Sequence, residues 1–251
     1  MSWQAPNLTA DKHCFFGTSG GVSTEKYASL NTNLRSLDQR DNVLRNMDII
    51  TDQFHLTRAE MATMRQSVSN TAIFIDKPTW FETAADGMVT TTPNILLCIK
   101  TADCAPVLLA DYEHGVIGAA HAGWRGACKG IIANVVRLMT EHGAEKQHIR
   151  AAIGPCLQKE SFAAQEDMRQ VFLDFDAQNA QYFTAAADGY RFDLSTFVED
   201  KLRACGVQNI VNSKIDTYPA ANGYFSYRRN THLNLISQQF DYPTQYSVIC
   251  L

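Results

Sequence analysis

Five short apolar runs, at residues 72–75, 87–90, 95–99, 107–110 and 116–121, follow one another closely in the middle of the chain. Each has strand length, and the gaps between them are shorter than the dozen or more residues that a parallel crossover needs. This stretch therefore predicts an antiparallel or mixed sheet. Helical spacing appears on either side of it. Residues 42–54 place Val43, Leu44, Met47, Ile50 and Phe54 at helical intervals. Residues 127–142 predict one long helix, with Ile131, Val135, Leu138 and Met139 on a single stripe and Gly143 as its stop signal. Residues 160–175 and 196–205 predict two more, the last capped by Ser195 and followed by Gly206. Residues 149–154, 208–213, 223–227 and 246–249 read as further strands. The sum is an α+β fold, a single domain over residues 1–251 with a mixed β-sheet core and flanking helices.

The chain has 251 residues, 45% of them apolar and 19% charged, enough to bury a core without disulfides or a structural metal. A net charge of −4 provides no global basic field for nucleic acid. No apolar run approaches the ~20 residues a bilayer span needs, and the first 16 residues lack the basic-then-apolar order of a secretory signal. Seven cysteines at irregular spacings, with no CxxC pair, predict reduced thiols and a cytoplasmic location.

Chemistry concentrates in residues 101–130. Asp103 and Cys104 come just before one predicted strand, and His121 ends the next, where a helix is about to start. The short turn at 113–115 would bring them together. A thiolate and an imidazole in one pocket can hold zinc. Alternatively, His121 can lower the pKa of Cys104 and make it a nucleophile. A buried cysteine beside a core histidine is the plain alternative to both. Gly123 and Gly126 flank Trp124-Arg125 and would let backbone N–H groups approach an anion, with Arg125 forked onto a phosphate or carboxylate. A tight turn with a solvated arginine fits the same residues. Trp124 could stack on a base or sit in the core. Arg228 and Arg229 follow an aromatic run and could face an anionic group or form surface ion pairs.

Thr101-Ala102-Asp103-Cys104, then His121-Ala122-Gly123-Trp124-Arg125-Gly126, then Ala152-Ile153-Gly154-Pro155-Cys156 resemble the laccase-domain purine nucleoside phosphorylase family. Its members are also called multicopper polyphenol oxidases and peptidoglycan editing factors. The resemblance extends to Gly20-Gly21-Val22-Ser23, Ser29-Leu30-Asn31, Ala85-Asp86-Gly87 and Phe225-Ser226-Tyr227-Arg228-Arg229. It implies a single α+β domain and one zinc, or copper, held by two histidines and a cysteine. It also implies phosphorolysis of adenosine, inosine or methylthioadenosine, and adenosine deamination. The partners would be a small purine nucleoside and phosphate, with no nucleic acid and no membrane.

Carried over by motif, Cys104 and His121 are metal ligands and catalytic residues, and Arg125 is a catalytic phosphate contact. Asp103, Gln66, Trp124, Arg228 and Arg229 are substrate contacts. The family's second histidine, in Gln-Val-His, falls on Val68 of Gln66-Ser67-Val68-Ser69-Asn70, and a valine cannot bind metal. Gly17-Thr18, Asp216-Thr217-Tyr218 and Pro243-Thr244-Gln245 also depart from the family pattern. His114, in the predicted turn, lies at the wrong end of both strands to substitute. Three functions stay open: a purine nucleoside phosphorylase with an incomplete zinc site, a metal-free cysteine hydrolase using Cys104 and His121, and a catalytically degenerate binding protein.

Overall fold

Residues 105–122 fold back on themselves as an antiparallel pair, Ala105–Asp111 with Val116–Ala122, and this pair is the centre of the structure. The computed structural model describes residues 2–251. The pair belongs to a six-stranded sheet in the order Asn209–Asn212, Arg150–Ile153, Ala105–Asp111, Val116–Ala122, Gly87–Thr90, Ala72–Phe74. Its two edge pairings, 72–74 with 87–90 and 150–153 with 209–212, are parallel and the rest antiparallel. The sheet is therefore mixed, within the expected antiparallel or mixed class, but the 72–74 and 87–90 strands are parallel despite their short gap, and the 95–99 run belongs to a separate sheet. A second six-stranded sheet runs Ser2–Trp3, His13–Phe16, Gln245–Ile249, Leu96–Thr101, Met61–Thr63, Thr79–Trp80.

Alternation along the strands sorts the core into layers. Leu108, Ala110, Ile117 and Ala119 of the first sheet meet Leu97, Ile99 and Ile249 of the second. The intervening residues Val107, Leu109, Val116 and Ala120 face helices Ile131–Glu141, Glu166–Phe175 and Leu194–Ala204. On the far side of the second sheet, Leu96, Cys98 and Val248 cover helix Arg40–Asp52. Period-2 strands thus bury both faces, which is why they read as continuous apolar runs. Among the described residues every cysteine is free, and no helix is long and apolar enough to cross a membrane.

A small antiparallel sheet, Ala163–Ala164, Gly189–Phe192 and Phe183–Ala186, closes over an aromatic cluster. Phe172 is fully buried there, with ring centroids 5.3, 4.7 and 5.0 Å from those of Phe183, Phe192 and Phe197. Phe172→Ala is expected to cost about 3–5 kcal/mol of stability. A urea-midpoint shift worth less than ~1 kcal/mol would show that the cluster repacks instead.

Several expected elements differ. The long helix at 127–142 is two helices, Trp124–Cys128 and Ile131–Glu141, because Gly130 takes a left-handed conformation (φ +92°) between them. Only Glu166–Phe175 of the span 160–175 is α-helical. Asp193, not Ser195, caps helix Leu194–Ala204, accepting from Thr196 N at 3.0 Å; the Ser195 hydroxyl donates to Gln158 Oε1 instead. Residues 223–227 form no strand. The Gln245 side-chain amide takes the place of a strand partner, accepting from Phe225 N (2.6 Å) and donating to Phe225 O (3.2 Å). Ser226 then caps a short helix, Tyr227–His232. The strands His13–Phe16, Met61–Thr63 and Phe183–Ala186 were not evident from the sequence, being too short to show a period.

Candidate active site

Strand register assembles the site. In the central pair Pro106 stands opposite His121, which sets Cys104, just before the strand, beside the end of its neighbour. His121 shares the parity of Ile117 and Ala119, so its ring faces the space between the sheets. Gly87 pairs with Ala120, and His121 N donates to Asp86 O at 2.8 Å. The Asp86 carboxylate, wholly buried, therefore meets His121 Nδ1 at 2.7 Å. Cys104 is the second side-chain partner of the imidazole. The order is carboxylate, imidazole, thiol.

The same carboxylate shapes the loop that carries Val68. Asp86 accepts from the backbone N–H groups of Ser67 (3.2 Å), Val68 (3.0 Å) and Ser69 (2.6 Å), and from Ser69 Oγ (2.6 Å). Burial alone would raise its pKa; these bonds and His121 outweigh burial and hold it down at about 2. Burial would likewise push the imidazole down, but its interactions with Cys104 and the Asp86 carboxylate bring it up to about 9. Held this way, Val68 has φ +59°, a conformation that a β-branched residue strongly disfavours. Gly123 lies beneath: a Cβ there would come 2.9 Å from Val68 Cγ1, 3.1 Å from Cys104 Sγ and 3.5 Å from His121 Cε1. The valine, the thiol and the imidazole thus ring one point. Gly126 has a similar reason, since a Cβ there would meet Ser69 O at 2.6 Å. Both glycines admit the 67–69 loop and the side chains it carries.

Cys104 and His121 open onto a cavity of about 490 Å³. Phe81, Tyr227, Phe240 and Tyr242 supply its aromatic walls, and Arg35, Arg65 and Lys100 its cations. Gln66 also lines it, but both ends of its amide are engaged by Lys100: Nε2 donates to the carbonyl (2.7 Å) and Oε1 accepts from the N–H (2.8 Å).

The other residues singled out in the sequence lie outside the cavity lining. Arg125 is exposed, its guanidinium 4.1 Å over the Trp124 ring, within a five-residue helix. Trp124 faces the core, its centroid 6.1 Å from that of Phe172. Asp103 is buried with φ +90° and anchors the start of helix Tyr227–His232, accepting from Arg228 N (2.7 Å) and Thr217 Oγ1 (2.6 Å). Arg228 donates to Ala163 O (3.2 Å), and Arg229 to the carbonyls of Thr217, Tyr218 and Tyr224 (2.7 Å each). These contacts make Arg229 a brace for the loop in front of the site. The sequence reading assigned no role to Asp86, although Ala85-Asp86-Gly87 stood out as a motif. Arg35, Lys100 and Asn33 carried no signal, because lone polar residues in a loop and a strand have no period.

The sequence profile of the multi-copper polyphenol oxidoreductase laccase family matches residues 12–236. The chain belongs to that family. A relative in Rickettsia conorii, named purine nucleoside phosphorylase, is 35% identical over 213 residues, 84% of this chain and 85% of its own. One from Deinococcus radiodurans with the same name is 36% identical over 229 residues, 90% of this chain and 87% of its own. Among solved structures, a Bacillus licheniformis hypothetical protein YfiH superposes with a TM-score of 0.87 at 26% identity, covering 95% of this chain and 92% of that one. A Neisseria meningitidis protein of the DUF152 family reaches 0.84 at 26% identity, covering 100% and 98%.

A laccase-family name implies a metal, and the donor set tests it. A catalytic zinc centre takes three protein ligands and leaves one open position. Around Gly123 the chain offers two donors, the Cys104 thiol and the His121 imidazole, and a methyl group of Val68 in third place. The residues present do not complete that centre. A separate group of metal-capable side chains, Asp111, His114 and His148, has ligand atoms within 4.8 Å of one another at the opposite end of the central pair. Its Asp111 already accepts from the N–H groups of Glu113, His114 and Glu145.

Proposed function

We propose that the cavity binds a purine nucleoside and that the site catalyses its phosphorolysis. The observation that carries this is the meeting of Cys104 and His121, backed by Asp86, on a cavity of about 490 Å³ with aromatic walls. That volume suits a nucleoside-sized ligand, and aromatic walls suit a purine ring. Relatives named purine nucleoside phosphorylase, alignable over most of both chains, support the same reading.

In phosphorolysis a phosphate oxygen bonds to C1′ of the sugar, the bond from C1′ to the purine nitrogen breaks, and the leaving purine takes a proton. In this reading His121 supplies that proton, since the Asp86 carboxylate beside it favours the charged imidazole at neutral pH. Asp86 holds the ring in orientation through Nδ1. Cys104, the other side-chain partner of the imidazole, borders the reacting end. No step is assigned to a metal, since the donor set is incomplete.

The test is product analysis after incubation with adenosine, inosine or methylthioadenosine, with and without inorganic phosphate. Free base together with a sugar 1-phosphate, formed only when phosphate is present, is the expected outcome. Base without phosphate dependence would make the enzyme a nucleosidase, and inosine formed from adenosine would make it a deaminase. Absence of every product would end the phosphorylase reading.

A second reading is favoured by the carboxylate–imidazole–thiol order itself, which is the arrangement of a cysteine nucleophile with its base. Under it, iodoacetamide would label Cys104 ahead of the six other thiols, and acyl esters, not nucleosides, would turn over.

A further inference from the structure

Resting on the nucleoside reading above, we propose that Lys100 and Arg35 form the anion subsite of the cavity and that it takes a phosphate group.

The cations that the motifs pointed to are engaged elsewhere: Arg125 stacks on Trp124 and Arg229 braces carbonyls. The cations that do line the cavity are Arg35, Arg65 and Lys100, and no aspartate or glutamate lines it with them. Lys100 is held from both sides. Its backbone is clamped by Gln66, and its strand pairs it with Tyr246. Its ammonium lies 3.4 Å from Asn33 Oδ1 and 5.8 Å from the centroid of the Phe81 ring, both neutral partners.

Asn33 ties the two cations together. The same Oδ1 accepts from Arg35 N at 3.1 Å. Its Nδ2 donates to Phe240 O (2.9 Å) and Tyr242 O (2.7 Å), which fixes the loop whose Phe240 ring lies 3.3 Å beneath the Arg35 guanidinium. Burial and the charge of Arg35 push the Lys100 ammonium down to about 8.

Two cations that line one concave, partly desolvated cavity, with no carboxylate among its lining residues, repel each other until an anion joins them. A phosphate offers several oxygens, enough for the ammonium and the planar guanidinium fork at once. The aromatic walls are left for a ring. The phosphate has two available sources with the same chemistry: free inorganic phosphate, as phosphorolysis requires, or the phosphate of a nucleoside monophosphate.

Calorimetric titration of the full chain separates them, using inorganic phosphate, adenosine 5′-monophosphate and adenosine on wild type, Lys100→Met and Arg35→Met. Thermal melts confirm that each variant is folded. Inorganic phosphate that binds wild type and is weakened roughly 10- to 100-fold in each variant supports the subsite and names free phosphate as its ligand. Monophosphate binding that exceeds adenosine binding, with the excess lost in both variants and no binding of phosphate alone, supports it and names the nucleotide. Affinities for phosphate and monophosphate that are unchanged in both variants overturn it. Unchanged affinities together with nucleoside turnover that is also indifferent to both variants remove this subsite and leave the phosphorylase reading standing. Variant-sensitive phosphate binding without any nucleoside turnover does the reverse.

Discussion

His121→Asn is expected to lower kcat/KM for phosphorolysis by roughly 10²- to 10⁴-fold, the range that general acid–base groups contribute. Asparagine places an amide N–H where Nδ1 now meets Asp86 at 2.7 Å, so the buried carboxylate keeps a donor. Alanine would leave that carboxylate with an unfilled place in its hydrogen-bond set, and part of any loss would then reflect folding. The amide cannot donate an acidic proton to the leaving purine, so the comparison isolates proton transfer. Cys104→Ala should fall between His121→Asn and wild type if the thiol acts through the imidazole. A decrease of less than about tenfold in His121→Asn, with an unchanged melting temperature, would remove His121 from the chemistry.

Val68→His should give a chain that retains about one zinc after purification without chelator, where the parent retains far less. Two physical effects act in the same direction. Valine is held at φ +59° by bonds from the consecutive N–H groups of Ser67, Val68 and Ser69 to the Asp86 carboxylate, and histidine tolerates that region better. The substitution therefore relieves local strain as well as adding a donor. The new imidazole would enter the ring of side chains above Gly123, where Val68 Cγ1, Cys104 Sγ and His121 Cε1 converge. Asp86, already on His121 Nδ1, would serve as the carboxylate that orients a metal-bound histidine. The melting temperature should stay level or rise, and added zinc should raise it further through preferential binding to the folded chain. Zinc content that remains near that of the parent in a folded variant would mean that the site has diverged beyond this residue.

The α+β class, the mixed sheet and the pairing of Cys104 with His121 were legible because each follows from local pattern. The tight turn at 113–115 aligns the far ends of its two strands, whereas the close-set runs at 72–75 and 87–90 still pair in parallel, because the chain between them crosses into the other sheet. Family motifs then marked the same two residues and exposed Val68 as the missing donor. Arg125, Trp124, Asp103 and Arg229 were marked by the same motifs, yet they serve packing, stacking or bracing in the structure. A motif records that a residue type matters at a position; it does not distinguish a ligand contact from a structural one. The split helix at Gly130 and the lost strand at 223–227 show the related limit. A glycine in the left-handed region, or a glutamine side chain standing in for a strand, leaves apolar spacing unchanged.

Local order along the chain was therefore enough to give the α+β class, the closeness of Cys104 to His121 and the absence of a donor at Val68, but not the division of the strands into separate sheets. Asp86 behind His121, and Lys100 and Arg35 on one wall of the cavity, emerge only from long-range pairing. Strand pairing across 35 residues sets Asp86 on His121, and packing of a loop against strand Leu96–Thr101 across 67 residues sets Asn33 on Lys100. Contacts of that range depend on how the sheets close, which no local period encodes.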